Sequence, residues 1–218
     1  MKKKLCAVYV GAGRDVEPIR LLPEVKTFVF VDSLPSTEQP GCIFMRDPLF
    51  GQTVAEALAG LGFVEEKKTK DTKDTKVAVD CMRPHARTFE NAKTRQTLHY
   101  FMSYAFPQNV DFELATHLHA CTHVIDRGHH ADKVLLDFVP RKFQLLCFPG
   151  TYYGADSEED SIVQELYDRD DLDIVVPYSR FWRRRYSSLR DAHRALSRDA
   201  SLASCPFLRW LYRMFNWT

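Results

Sequence analysis

Leu5-Cys6-Ala7-Val8-Tyr9-Val10 is an unbroken apolar run that stops at Gly11-Ala12-Gly13-Arg14-Asp15. A helix-like piece, Asp15–Leu22, follows, and a second apolar run, Thr27-Phe28-Val29-Phe30-Val31, ends on Asp32-Ser33. Strand, glycine turn, helix, strand and acid, in that order, make the front end of a nucleotide-type βαβ unit. Glycine lets the backbone turn tightly and approach a ligand closely. Asp32 lies about 20 residues past the first glycine, where a carboxylate can accept hydrogen bonds from ribose hydroxyls.

Working outward, strands and helices alternate. Residues 33–41 are loop by composition, Cys42–Met45 is a short strand candidate, and Gln52–Leu61 carries Val54, Ala55, Leu58 and Leu61 at helical spacing before Gly62. Residues 63–82 suggest a β-hairpin whose tip, Thr69–Lys76, repeats Lys, Asp and Thr and whose return arm alternates as Val77, Val79, Cys81. Thr97–Phe106 is expected to be a strand in the middle of the sheet, paired with 77–82. Asp111 is placed to cap a helix to about Ala120. Strands at Thr122–Asp126, Phe143–Phe148 and Ile174–Val176 alternate with a turn at Gly128–Asp132 and helices at Lys133–Phe138 and about Glu158–Tyr167. The expectation is a Rossmann-like α/β domain over 1–179. It has a mostly parallel sheet flanked by helices, an inserted β-hairpin, and a C-terminal helical extension over 180–218 packed on it.

The 218 residues are 45% hydrophobic and 27% charged, with a net charge of +1, so any nucleic-acid role needs a local patch. No apolar run approaches the roughly 20 residues of a membrane span. The basic start Met1-Lys2-Lys3-Lys4 leads into an apolar stretch too short for an export signal. Cys6, Cys42, Cys81, Cys121, Cys147 and Cys205 are scattered without a C-x-x-C pair, as buried reduced thiols are. An intracellular, cytoplasmic protein is the expectation.

A dinucleotide fingerprint wants a third glycine at position 16, which is Val16. The run Tyr9-Val10-Gly11-Ala12-Gly13-Arg14-Asp15-Val16-Glu17-Pro18, followed by Phe30-Val31-Asp32, instead resembles the first two motifs of class I S-adenosylmethionine-dependent methyltransferases. The closest likeness is to a divergent branch with glycine, a small residue, glycine, any residue, aspartate and a proline soon after. The resemblance covers about 30 residues, and the alternating pattern beyond them only loosely. It implies that Gly11, Gly13 and Asp15 form the cofactor loop. Asp32, with Ser33 beside it, would bind the ribose, and Asp47 or Asp80 would lie near the adenine. Two positions before Gly11 the family commonly carries an acid; here stands Tyr9. Asp15 stands where a third glycine is often found, and no Asn-Pro-Pro-Tyr-like motif is present.

Other chemistry-bearing residues cluster in two places. His117, His119, Cys121, His123, His129 and His130 have the side chains zinc uses; on a strand residues 117, 119, 121 and 123 would share one face, but Leu114 and Leu118 argue for a helix, which splits 117 and 121 from 119 and 123. A helix surface and a loop are the expected setting. Asp126-Arg127-Gly128-His129-His130 and Pro149-Gly150-Thr151-Tyr152-Tyr153 each follow a strand; Asp126 or His129 could serve as a general base, and the tyrosines could wall a pocket. Farther on, Arg180, Arg183, Arg184, Arg185, Arg190, Arg194 and Arg198 are interleaved with Phe181, Trp182 and Tyr186. On a helix, Arg183, Arg190, Arg194 and Arg198 would share a side, a pattern suited to phosphate. The aromatic stretch Phe207–Trp217 is expected to pack on the domain.

Two function classes follow. One is a methyltransferase-like protein binding S-adenosylmethionine or a related adenosyl ligand, its acceptor unspecified. The other is a catalytically inactive interaction module that meets nucleic acid or protein through Arg183, Arg184 and Arg185 and the aromatic terminus.

Overall fold

The computed structural model describes residues 5–12, 15–32, 55–66, 85–102, 110–126, 137–148, 166, 168–178 and 180–203. The expected elements at 42–45, 69–82, 128–136, 149–165 and 207–217 lie wholly outside these residues, as do Gly13, Ser33, Asp47, Asp80, His129 and His130. Among the described residues there are nine strands: β1 (Cys6–Val10), β2 (Thr27–Asp32), β3 (Val64–Glu65), β4 (His85–Asn91), β5 (Gln96–Met102), β6 (His123–Asp126), β7 (Gln144–Cys147), β8 (Asp173–Pro177) and β9 (Arg183–Tyr186). The helices are α1 (Glu17–Leu21), α2 (Phe112–Ala120) and α3 (Leu189–Ala203), with a further helical stretch at 55–60.

All nine strands join one sheet in the order β3-β4-β5-β2-β1-β6-β7-β8-β9. β5, β2, β1, β6, β7 and β8 run parallel, while β3, β4 and β9 are antiparallel to their neighbours. The sheet is therefore mixed, with a parallel centre and antiparallel margins. The chain passes from β1 to β2 and β5 on one side, then returns to place β6 against the other side of β1. That reversal sets a topological switch point at the carboxyl ends of β1 and β6, the position where open α/β sheets bind their ligands.

Side-chain alternation builds two cores, one on each face. Val8, Val29, Val31, Phe101, Val124, Leu145 and Ile174 point to the face covered by Leu114 and Leu118 of α2 and Leu189, Ala192 and Leu196 of α3. Ala7, Phe28, Phe30, Leu98, Tyr100, Leu146 and Val175 point to the other, against Ile19 of α1, Leu22 and Leu58. Burial on both faces explains why the central strands are continuous apolar runs in the sequence.

Two expectations need correction. The partner of β5 is not 77–82: β2 occupies one edge of β5 in register Thr27↔Thr97, and β4 occupies the other, Ala86↔Phe101 through Asn91↔Gln96. The hairpin turn sits at 92–95, with Arg95 in the left-handed region at φ 56°. Asn91 holds it by accepting from the Lys93 and Thr94 amides while donating to the Leu61 carbonyl. Second, Arg183–Arg185 are not helical. They form the edge strand β9, paired antiparallel to β8 (Pro177↔Arg183, Val175↔Arg185), and the helix starts only at Leu189.

The expected cap is present. Asp111 accepts from the Leu114 amide at 2.8 Å and opens α2. Asp111→Ala is expected to cost about 1 kcal/mol, read as a lower denaturant midpoint with an unchanged slope.

Candidate functional site

Gly11 follows β1 at the reversal point with φ 67°, a conformation that disfavours any side chain. Its amide and that of Ala12 donate to the Val31 carbonyl at 2.8 and 3.4 Å, drawing the turn against the end of β2. One residue farther along β2, Asp32 ends the strand with a half-buried carboxylate. Tyr100, from the adjacent β5, donates its hydroxyl to Asp32 Oδ2 at 3.3 Å. Burial and then the Asp32 charge push the Tyr100 phenol well above its ordinary value, so it stays a donor.

Tyr9, which stands where the resembled family carries an acid, projects to the same face and donates to Asp15 Oδ2 at 2.9 Å. Asp15 Oδ1 accepts from the Glu17 amide at 3.1 Å, at the start of α1. The negative charge beside the glycine turn is thus supplied by Asp15, held by the Tyr9 hydroxyl. Phe30 lies edge-on between Tyr9 and Tyr100, with ring centroids 5.4 and 6.2 Å away. The structure brings together Gly11, Asp15 and Asp32 at one rim, with Tyr9 and Tyr100 as hydrogen-bond partners to which the sequence pattern assigned no such role.

The opposite face of the rim carries a second group. Asp126 and Cys147 end β6 and β7 in direct register, and His193 of α3 reaches over them. His193 Nε2 is 3.2 Å from Asp126 Oδ2. Asp126 is 8% exposed and Cys147 fully buried. Burial, then the Asp126 charge, pushes the Cys147 thiol well above its ordinary value. Asp126 was readable as a strand-end acid. His193 was not, because it lies 67 residues away and only the docking of α3 brings it there.

The histidine-rich stretch divides among separate surroundings. His117 packs on His99 at 4.2 Å and on Phe101, His119 lies 6.1 Å from the Phe138 ring, and His123 Nδ1 is 2.9 Å from Thr122 Oγ1. Cys121 Sγ stands 3.1 Å from Cys6 Sγ in the core. Burial and the neighbouring His117 push His99 down to about 4, and burial lowers His117 and His123 as well. These imidazoles fold neutral, whereas the unfolded chain takes up their protons below about 6.5. Their contribution is complete above pH 6.5 and is lost as pH falls toward 4. Melting temperature is therefore expected to drop between pH 6.5 and 4, and His99→Gln is expected to flatten that drop; an unaltered pH profile would exclude His99.

The arginines serve different ends. Arg183 pairs with Glu24 and donates to the Leu21 carbonyl, tying β9 to the end of α1. Arg185 is 3.4 Å from Asp173. Arg184 instead joins Arg194 and Arg198 of α3, with Tyr186, Asp191 and Ala195, around an open cavity of about 340 Å³. No helix among the described residues is long and apolar enough to cross a membrane.

No protein-family model matches the chain, and no curated protein matches it in sequence.

Proposed function

We propose that the chain is a Rossmann-like, methyltransferase-like protein that binds S-adenosylmethionine or a related adenosyl ligand at the carboxyl ends of β1 and β2. The observation that carries this reading is Asp32, a carboxylate ending β2 directly beside the left-handed Gly11 turn. The order of the six parallel strands supports it: numbered along the chain they stand third, second, first, fourth, fifth, sixth, the order of doubly wound sheets that hold nucleotides at the reversal point. Asp32 fits a ribose by its chemistry, since a carboxylate offers about four acceptor positions for hydroxyl donors. Gly11 fits a close backbone approach. The ligand supplies an electrophilic methyl group; the protein's part is to bind it, orient it toward an acceptor and exclude water. Calorimetric titration with S-adenosylmethionine and S-adenosylhomocysteine tests the reading.

A second reading rests on the cavity between β9 and α3. Three guanidiniums against one carboxylate suit a phosphate-bearing strand, so the protein would act as an inactive interaction module for single-stranded nucleic acid. Arg194→Ala and Arg198→Ala are each expected to reduce the salt dependence of oligonucleotide binding by about 0.7 in log–log slope. Equal slopes for wild type and both variants would dismiss it.

A further inference from the structure

We propose that Asp126, Cys147 and His193 form a binding site for one borderline-soft divalent cation of the zinc type. The donors come from three different elements, β6, β7 and α3, and their ligand atoms all lie within 4.8 Å of one another. Asp126 Oδ2 and His193 Nε2 are 3.2 Å apart. Two ligands about 2.0–2.1 Å from a tetrahedral ion stand about 3.3 Å apart, so this separation suits a shared metal.

The donor chemistry narrows the ion. Sulfur, imidazole nitrogen and carboxylate oxygen together favour zinc over magnesium or calcium, which take oxygen donors. Three protein donors leave the fourth tetrahedral position for water or another ligand atom, the pattern of open zinc sites. The Asp126 and His193 side chains are each only 11% exposed, so an ion held there would sit largely out of bulk water, where its attraction to a carboxylate is strengthened. The group also lies on the carboxyl rim of the sheet, at the ends of β6 and β7 beside the reversal point, on the face away from Asp32. It does not depend on an adenosyl ligand. The alternative for the same atoms is a metal-free trio in which the imidazole and the thiol simply bond to Asp126.

The test uses the full chain, freed of metal by a chelator and titrated with Co(II). Binding of one equivalent is expected, with the near-ultraviolet charge-transfer absorption of a thiolate–cobalt bond and the visible bands of a tetrahedral ion, both removed by Zn(II). Cys147→Ser should abolish the charge-transfer absorption, and Cys121→Ala should retain it. His193→Gln should weaken Co(II) affinity at least tenfold, the scale on which even an outer partner of a metal ligand acts. Circular dichroism checks that each variant is folded; if Cys147→Ser is not, His193→Gln decides. Absence of charge-transfer absorption at stoichiometric Co(II), its persistence in Cys147→Ser, or unchanged affinity in His193→Gln would overturn the proposal.

Discussion

Replacing Phe30 by alanine is expected to lower the unfolding free energy by about 3–5 kcal/mol. Phe30 is 1% exposed in the middle of β2, a central strand with neighbours on both edges. Its ring meets those of Tyr9, Phe28 and Tyr100 edge-on, at centroid distances of 5.4, 6.1 and 6.2 Å. Each such pair adds about 0.5–1.5 kcal/mol beyond the buried area, which places Phe30 toward the upper end of the range. The β-strand backbone is held by hydrogen bonds to β1 and β5, so the vacated space closes only partly. A loss of this size is a large part of the roughly 5–15 kcal/mol that stabilises a whole domain. Denaturant unfolding should show the midpoint falling at constant slope. Val64, 72% exposed, is the control: Val64→Ala should stay within about 0.5 kcal/mol. A Phe30→Ala loss below about 1 kcal/mol would mean that the aromatic row under the glycine turn is not packed as described.

The second large effect concerns binding. Asp32→Ala is expected to weaken S-adenosylmethionine binding by about a hundredfold or more, because hydrogen bonds to a charged acceptor contribute about 1.5–3 kcal/mol each and a ribose presents two hydroxyls. Cooperative unfolding should persist, since Asp32 ends its strand and is only half buried. Tyr100→Phe separates direct from indirect roles. It removes the hydroxyl bonded to Asp32 but leaves the carboxylate, so affinity should change only severalfold. Equal affinity of Asp32→Ala and wild type would remove Asp32 from the ligand site.

The parallel centre of the fold was legible in the sequence because burial on both faces writes itself as continuous apolar runs. Leu5–Val10 and Thr27–Val31 became β1 and β2 almost residue for residue, and Asp111 capped its helix as its side chain allows. The margins were not legible. β4 is His-Ala-Arg-Thr-Phe-Glu-Asn, in which Phe89 is a buried apolar residue and Arg87 instead reaches across the strands to Glu65. β9 is three arginines and a tyrosine; it is a strand because the outer edge of β8 offers hydrogen-bonding groups to it, a property of the neighbour rather than of its own side chains.

The same limit governs the candidate sites. Gly11 and Asp15 belong to the glycine turn and Asp32 ends the next apolar run, so all three could be named from the strand–turn–helix–strand pattern. Tyr9–Asp15 was hidden because a tyrosine in an apolar run looks like core, and only its hydroxyl reveals the role. Asp126 and Cys147 meet through strand register, and His193 joins them through helix docking; neither register nor docking is encoded locally.

The most direct test of the adenosyl-ligand proposal is isothermal titration of the purified chain with S-adenosylmethionine and S-adenosylhomocysteine. Micromolar binding, lost in Asp32→Ala, is the expected result. No heat of binding with either ligand, from a protein that unfolds cooperatively, would contradict it and leave the Gly11 turn as a strand-to-helix connection without a ligand.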